Sequence, residues 1–216
     1  MVGVMLTGAL LVSGCGGKTD NNKNNTTGLT GTLTVAGSTS VQPFSEVLAE
    51  EFMAANKGAQ VSVQGGGSSV GIESAVSGAA DIGAASRSVS AEEKAKGLVD
   101  TTIALDGIAV VVNPGNPVQA LKTADIMNIY LGNIKNWKEL GGNDAPITVV
   151  SREEGSGTRE AFTSLVMNKK DILKTAIIQN STGAVLTTVA GDKNAIGYVS
   201  LASINQDIKA LQIDGI

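Results

Sequence analysis

The residues best suited to chemistry lie in Ser151-Arg152-Glu153-Glu154-Gly155-Ser156-Gly157-Thr158, where an arginine, two glycines and three hydroxyls share one stretch. The turn joins a β-branched run, Ile147-Thr148-Val149-Val150, to a run over 159–166 that puts Ala161, Phe162 and Leu165 on one helical face. A helix start leaves its first N–H groups without partners and carries partial positive charge, and glycine lets an oxyanion come close to them. Arg152 adds the forked donor geometry that suits phosphate or carboxylate. The same residue types also make an ordinary N-cap turn, so this stretch alone supports both readings.

Two earlier turns repeat the chemistry. Gly37-Ser38-Thr39-Ser40 follows a first strand, and Gly65-Gly66-Gly67-Ser68-Ser69 follows a second, each feeding a helix. In open α/β sheets ligands bind beyond the carboxyl ends of the strands, so three strand-turn-helix joints of this kind point at one crevice. Hydroxyls and N–H groups converging with one guanidinium suit a tetrahedral oxyanion.

Several other classes are disfavoured. The chain has no histidine, which removes a Ser-His triad, an imidazole base and imidazole metal sites. A single cysteine, Cys15, permits no internal disulfide and no paired-thiol metal site. A net charge of -4, with scattered Lys and Arg, argues against nucleic acid as a partner. No phosphate-binding GxxxxGK[ST] loop, no dinucleotide GxGxxG fingerprint and no GxSxG elbow is present, so a nucleotide enzyme or a phosphatase is disfavoured. The chemistry left is binding, with no catalytic residue, cofactor or metal.

The elements that must position these turns alternate short β-branched runs with helical patterns, an α/β architecture with largely parallel sheets. Strands are expected over 33–36, 61–63, 82–85, 147–150, 177–179, 195–199 and 208–213, and helices over 42–56, 69–77, 91–96, 123–131, 159–166 and 183–190. A hydrophobic run over 107–112 enters the turn Asn113-Pro114-Gly115-Asn116-Pro117, where passage to a second lobe is expected. Trp137 reads as a packing anchor. Before all this, an apolar run over 2–12 is too short for an ordinary membrane span and leads into Leu11-Val12-Ser13-Gly14-Cys15, which resembles a bacterial lipobox, although no Lys or Arg precedes it. The polar segment that follows, over 16–31, reads as a flexible linker.

Four separated segments carry a resemblance: Gly37-Ser38-Thr39-Ser40-Val41-Gln42-Pro43, Gln64-Gly65-Gly66-Gly67-Ser68-Ser69, Asp81-Ile82-Gly83-Ala84-Ala85-Ser86-Arg87, and Arg152 to Thr158. In this order, within a similarity over 33–213, they resemble the phosphate-binding lipoproteins of the bacterial phosphate ABC importer. The resemblance implies a two-lobed periplasmic-binding-protein fold of type II that closes around phosphate. Lobe I is then expected over 32–107 plus 197–216, lobe II over 108–196, hinges near Gly107 and Gly197, and a signal segment over 1–15 ending in lipidated Cys15. Carried over by position, Ser38, Thr39, Ser40, Ser68, Ser86, Arg87, Arg152, Ser156, Gly157 and Thr158 line the site, with Glu154 bracing Arg152. Better-studied members carry, after the Gly-Ala strand, an aspartate that accepts the proton of hydrogen phosphate. Here Ser86 and Arg87 occupy that stretch, and Asp81 and Glu154 are the candidate replacements. Members usually continue past the segment resembling 208–216 with a further helix and strand, without which apolar surface of lobe I would be uncovered.

The expectation is an extracytoplasmic receptor, tethered to the outer face of the cell membrane by lipid alone, monomeric, that hands inorganic phosphate to an ABC permease and its ATPase. Rival readings are another tetrahedral oxyanion, sulfate, molybdate or arsenate, or a sensing or adhesion module on the same fold.

Overall fold

The computed structural model of the chain describes residues 28–215. Cys15, the expected lipidation site, the expected signal segment and most of the expected linker lie outside the described residues.

The first lobe is built from β1 (Thr30–Gly37), α1 (Gln42–Ala55), β2 (Gly58–Gly65), α2 (Ser68–Ser77), β3 (Ile82–Ala84) and the short α3 (Ala91–Lys94). Its three strands run parallel in the order β2-β1-β3. Thr30 and Gly31, expected in the linker, already pair with Gly58 and Ala59, so the strand begins earlier than its apolar core suggests. The register is what matters for function. Gly37 lies opposite both Gly65 and Ala84, so all three strands end at one level and their following turns lie side by side.

The second lobe contains β4 (Ile108–Val112), β5 (Ala120–Leu121), α4 (Thr123–Tyr130), a 3-10 turn at Trp137–Leu140, β6 (Thr148–Arg152), α5 (Gly157–Leu165), β7 (Ile177–Gln179), α6 (Thr182–Gly191), β8 (Ala195–Ser200), β9 (Lys209–Ala210) and β10 (Gln212–Ile213). Five strands form one sheet in the order β7-β6-β8-β4-β9, with β6 parallel to β7 and β8, and β4 antiparallel to β8 and β9. Helices cover both faces, so β4 reads as a continuous apolar run: Val110 and Val112 face the cluster of Ile126, Ile129, Tyr130, Phe162 and Tyr198, while Ala109 and Val111 face Val185 and Val189 of α6. Trp137 is buried and its indole N–H donates to the Asn194 carbonyl at 2.9 Å.

This sheet corrects the expected return of 197–216 to the first lobe. All six residues of β8 are buried, Tyr198 pairs with Val110, and β9 and β10 pair with β4 and β5. A strand so flanked satisfies its backbone groups on both sides within the second lobe. Gly197 is a packing glycine rather than a hinge, because a Cβ there would stand 3.0 Å from both Val185 and Val189. Among the described residues the chain passes between the two larger sheets in the stretch from β3 to β4.

The first lobe packs differently. On α1 the expected apolar face of Phe44, Val47, Leu48 and Phe52 is exposed, and Ala49 is the residue the helix buries. β3, expected as a buried strand, occupies a sheet edge with Ile82 exposed.

Candidate anion-binding site

Each turn is fixed by a local requirement. Gly37 ends β1 at φ +145°, and a Cβ there would fall 2.0 Å from the Ala84 carbonyl oxygen, so only glycine fits beside β3. Its carbonyl accepts the N–H groups of Gly66 and Gly67 at 2.8 and 3.0 Å, which ties the first and second turns together. Gly67, at φ +95°, turns the chain into α2 and delivers Ser68, fully buried, to its first turn. In the second lobe Ser156 caps α5 by accepting the Arg159 N–H at 3.2 Å, which leaves its own hydroxyl proton to donate.

The hydroxyls form a chain that crosses between the lobes. Thr158 Oγ1 lies 3.3 Å from Ser40 Oγ, Ser40 Oγ 3.0 Å from Ser38 Oγ, Ser38 donates to Ser86 Oγ at 3.0 Å, and Ser86 Oγ lies 3.3 Å from Ser68 Oγ. Thr158 belongs to the second lobe and the other four to the first. Gly157 sits where they meet: a Cβ there would be 2.5 Å from Ser68 Oγ, 2.7 Å from Ser86 Oγ and 2.9 Å from the Ser86 backbone. The lobes are also joined by the Ser69 N–H, which donates to the Gly155 carbonyl at 3.1 Å.

Arg152, 2% exposed, is the cation of this cluster. Its Nε and Nη2 donate to the two carboxylate oxygens of Glu153, both at 2.8 Å, and Nη2 also donates to Thr39 Oγ1 at 3.1 Å. The fork pairs the guanidinium with a carboxylate and fixes its plane. Beneath it the Tyr198 hydroxyl lies 2.9 Å from Ser151 Oγ and accepts the Arg152 N–H at 3.2 Å, while its ring stacks on Phe162 with centroids 4.0 Å apart. Burial pushes the Tyr198 phenol above its ordinary pKa, so it remains neutral. A solvent-open cleft of about 490 Å³, lined by Thr39, Gln42, Gly65, Gly66, Asn180 and Ser181, leads to the cluster. A larger cleft of about 600 Å³ on the second lobe is walled partly by Asp125, Glu139 and Asp214, unsuited to an anion, and lies apart from these hydroxyls.

A sequence profile of the PBP superfamily domain matches residues 22–214. The phosphate-binding protein PstS of Bacillus subtilis is 36% identical over 218 residues, an alignment covering 96% of this chain and 72% of that protein. The chain belongs to the PstS phosphate-binding family. PstS of Staphylococcus epidermidis is 32% identical, and the alignment covers 92% of this chain but 63% of that protein. Among solved structures, a phosphate ABC transporter substrate-binding protein from Clostridium perfringens, with bound phosphate, superposes with a TM-score of 0.83 at 43% identity, covering 86% of this chain and 77% of the other. A phosphate transport receptor from Vibrio cholerae superposes with a TM-score of 0.65 at 39% identity, covering 85% and 77%. The fold is the two-lobed type II arrangement of this transport family, which is not a family of enzymes.

In this PstS-type framework Ser38, Thr39, Ser40, Ser68, Ser86, Arg152, Ser156, Gly157 and Thr158 come together at the lobe junction. Two expected residues lie elsewhere. Arg87 forks onto Glu93, with Nη1 and Nη2 at 2.9 and 2.7 Å, and its Nε lies 3.1 Å from Glu160 on α5. Glu93 is presented by the capping box of α3, so the guanidinium is held beside the chain of hydroxyls rather than in it, and the hydroxyl it reaches is Ser69 Oγ, to which Nη2 donates at 3.4 Å. Glu154 does not brace Arg152; its side chain is 93% exposed and lies 3.9 Å from Arg159. Glu153 takes that role because its N–H still bonds the Gln179 carbonyl, extending the β6/β7 ladder and folding its side chain back beside Arg152. Asp81, a candidate proton acceptor, instead accepts the Thr34 N–H at 2.7 Å and ties β3 to β1. Among the described residues the wall facing α5 is therefore hydroxyl, with no carboxylate bonded into its chain. Sequence reasoning missed Thr182, which joins this cluster; the signal was present in Asn180-Ser181-Thr182-Gly183, another hydroxyl and glycine turn between a strand and a helix.

Proposed function

We propose that this protein captures inorganic phosphate between its lobes and delivers it to an ABC permease, without chemical change to the anion. The carrying observation is the meeting of Arg152 and the α5 N-terminus with hydroxyls from both lobes. These groups are preorganised donors in a largely buried junction, where each is worth more than in water. Closure brings Thr158 of one lobe against Ser40 of the other, so an anion held between them would stabilise the closed form. Ser38, Thr39, Ser40, Ser68, Ser86, Ser156, Gly157 and Thr158 supply donors, Arg152 supplies charge, and Glu153 holds Arg152 in place.

Family membership supports an extracytoplasmic, transport-associated location. Anchoring by lipid at Cys15, monomeric action, and the division into lobes near Gly107 belong to the same proposal. Calorimetric titration with phosphate tests it directly, and no heat of binding near neutral pH would overturn it. Arg152→Ala is expected to weaken phosphate binding by roughly a hundredfold or more, since it removes a charge-assisted donor from a buried site, with the unliganded fold retained. Competition by sulfate, molybdate and arsenate across pH decides among the oxyanions.

A further inference from the structure

Thr182 occupies a position that neither the four sequence motifs nor the family resemblance singles out. It opens α6, whose N-cap Ser181 accepts the Ala184 N–H at 3.1 Å. In register, Arg152 at the end of β6 lies opposite Gln179 at the end of β7, so the turn after β7 is carried alongside the guanidinium. Thr182 is 5% exposed.

Its bonds divide the donors of the site. A guanidinium has five N–H donors. Glu153 takes two, Thr39 Oγ1 takes one from Nη2 at 3.1 Å, and Thr182 Oγ1 takes one from Nη1 at 3.2 Å. Thr39, across the lobe junction, accepts the Thr182 N–H at 3.2 Å as well as the Arg152 donor, and its Oγ1 lies 3.3 Å from Thr182 Oγ1. With two donors directed at its oxygen, the Thr39 hydroxyl has only its proton left to offer. A site for an anion needs donors rather than acceptors, and this arrangement enforces that polarity.

We propose that Thr182 is a positioning residue of the phosphate site: its hydroxyl holds the free edge of Arg152 while it clasps Thr39 of the opposite lobe. Resting on the phosphate-binding reading above, the inference adds a fourth strand-turn-helix joint to the three that carry the motifs. It acts through Arg152 and Thr39, and makes Nη1 and the Thr39 proton available in fixed directions.

The test uses phosphate itself as probe with Thr182→Val, which keeps the shape and the backbone N–H but deletes the hydroxyl, and Thr182→Ser, which restores it. Thr182→Val is expected to weaken phosphate binding roughly tenfold, the size of one net hydrogen bond in a buried site, and Thr182→Ser to stay within about threefold of wild type. Melting without phosphate should be little changed in either. Because the residue acts through Arg152, the penalty of Thr182→Val should shrink below about twofold in an Arg152→Lys background. Thr182→Val binding like wild type, Thr182→Ser as weak as Thr182→Val, or additive penalties in the double variant would each overturn the inference. Should Thr182→Val fail to fold, Thr182→Ala against Thr182→Ser reads the same comparison. Wild type that does not bind phosphate sinks the underlying function instead, so the two failures are distinguishable.

Discussion

At the scale of single residues, Gly157 is the most constrained position of the lobe junction. Backbone and hydroxyls of the first lobe lie against it, and the Ser86 backbone at 2.9 Å from an added Cβ cannot rotate away. The contact exists only across the junction, so Gly157→Ala should leave the separated lobes intact and oppose their closure. Overpacking of this kind costs about 1–3 kcal/mol, which predicts phosphate affinity reduced by roughly 5- to 150-fold with an unliganded melting temperature near wild type. Titration and melting of the variant check it; unchanged affinity would mean the lobes do not close on this contact. Gly157, Arg152 and the three hydroxyl turns were legible in the sequence because each follows a strand and precedes a helix within a few residues. Glu153 was not, since neighbouring carboxylates differ only in which way a turn directs them. Thr182 was less legible too, since its turn carries no arginine and the helical pattern there begins only at Gly183, whereas α6 starts at Thr182 itself.

Among the elements, the junction of α3, the turn after β3 and the N-terminal half of α5 forms a second bridge outside the hydroxyl cluster. Arg87 holds Glu93 in its own lobe and Glu160 in the other. The fork from Arg87, reinforced by the Ser90 N–H, draws the Glu93 carboxyl down to about 2, and the Arg87 guanidinium is raised in turn, chiefly by its bond to Glu93. A carboxyl depressed on folding contributes stability above its unfolded pKa of about 4.3 and loses it as pH falls through the folded value. Glu93→Gln should therefore be less stable than wild type near neutral pH, and the difference should diminish from about pH 4.5 toward pH 2, as followed by denaturant unfolding at stepped pH. A constant difference over that range would show that Glu93 contributes through packing instead. Arg87 was expected at the anion because of its place beside Ser86; the capping box of α3, a local pattern in Ser90 and Glu93, was the sequence signal that could have reassigned it.

For the whole molecule, two lobes meeting around a buried cation make ligand and closure one equilibrium. Phosphate that binds only the closed native form should raise the melting temperature with concentration, by about 2.7 kcal/mol of added stability at a hundredfold excess over Kd. Thermal melts at increasing phosphate check this, and sulfate run in parallel shows whether the hydroxyl wall distinguishes the two anions. By itself the sequence determined the α/β class, the strand-turn-helix joints and the oxyanion chemistry of their residues, because propensity, glycine placement and capping act over a few neighbouring positions. Only the tertiary structure decided that β8 to β10 complete the second lobe, that Arg87 serves a bridge rather than the anion, and that Thr39 meets Thr182 across 143 positions of chain. Such pairings depend on the register of distant strands and on which faces are buried together, and a local pattern carries no record of either.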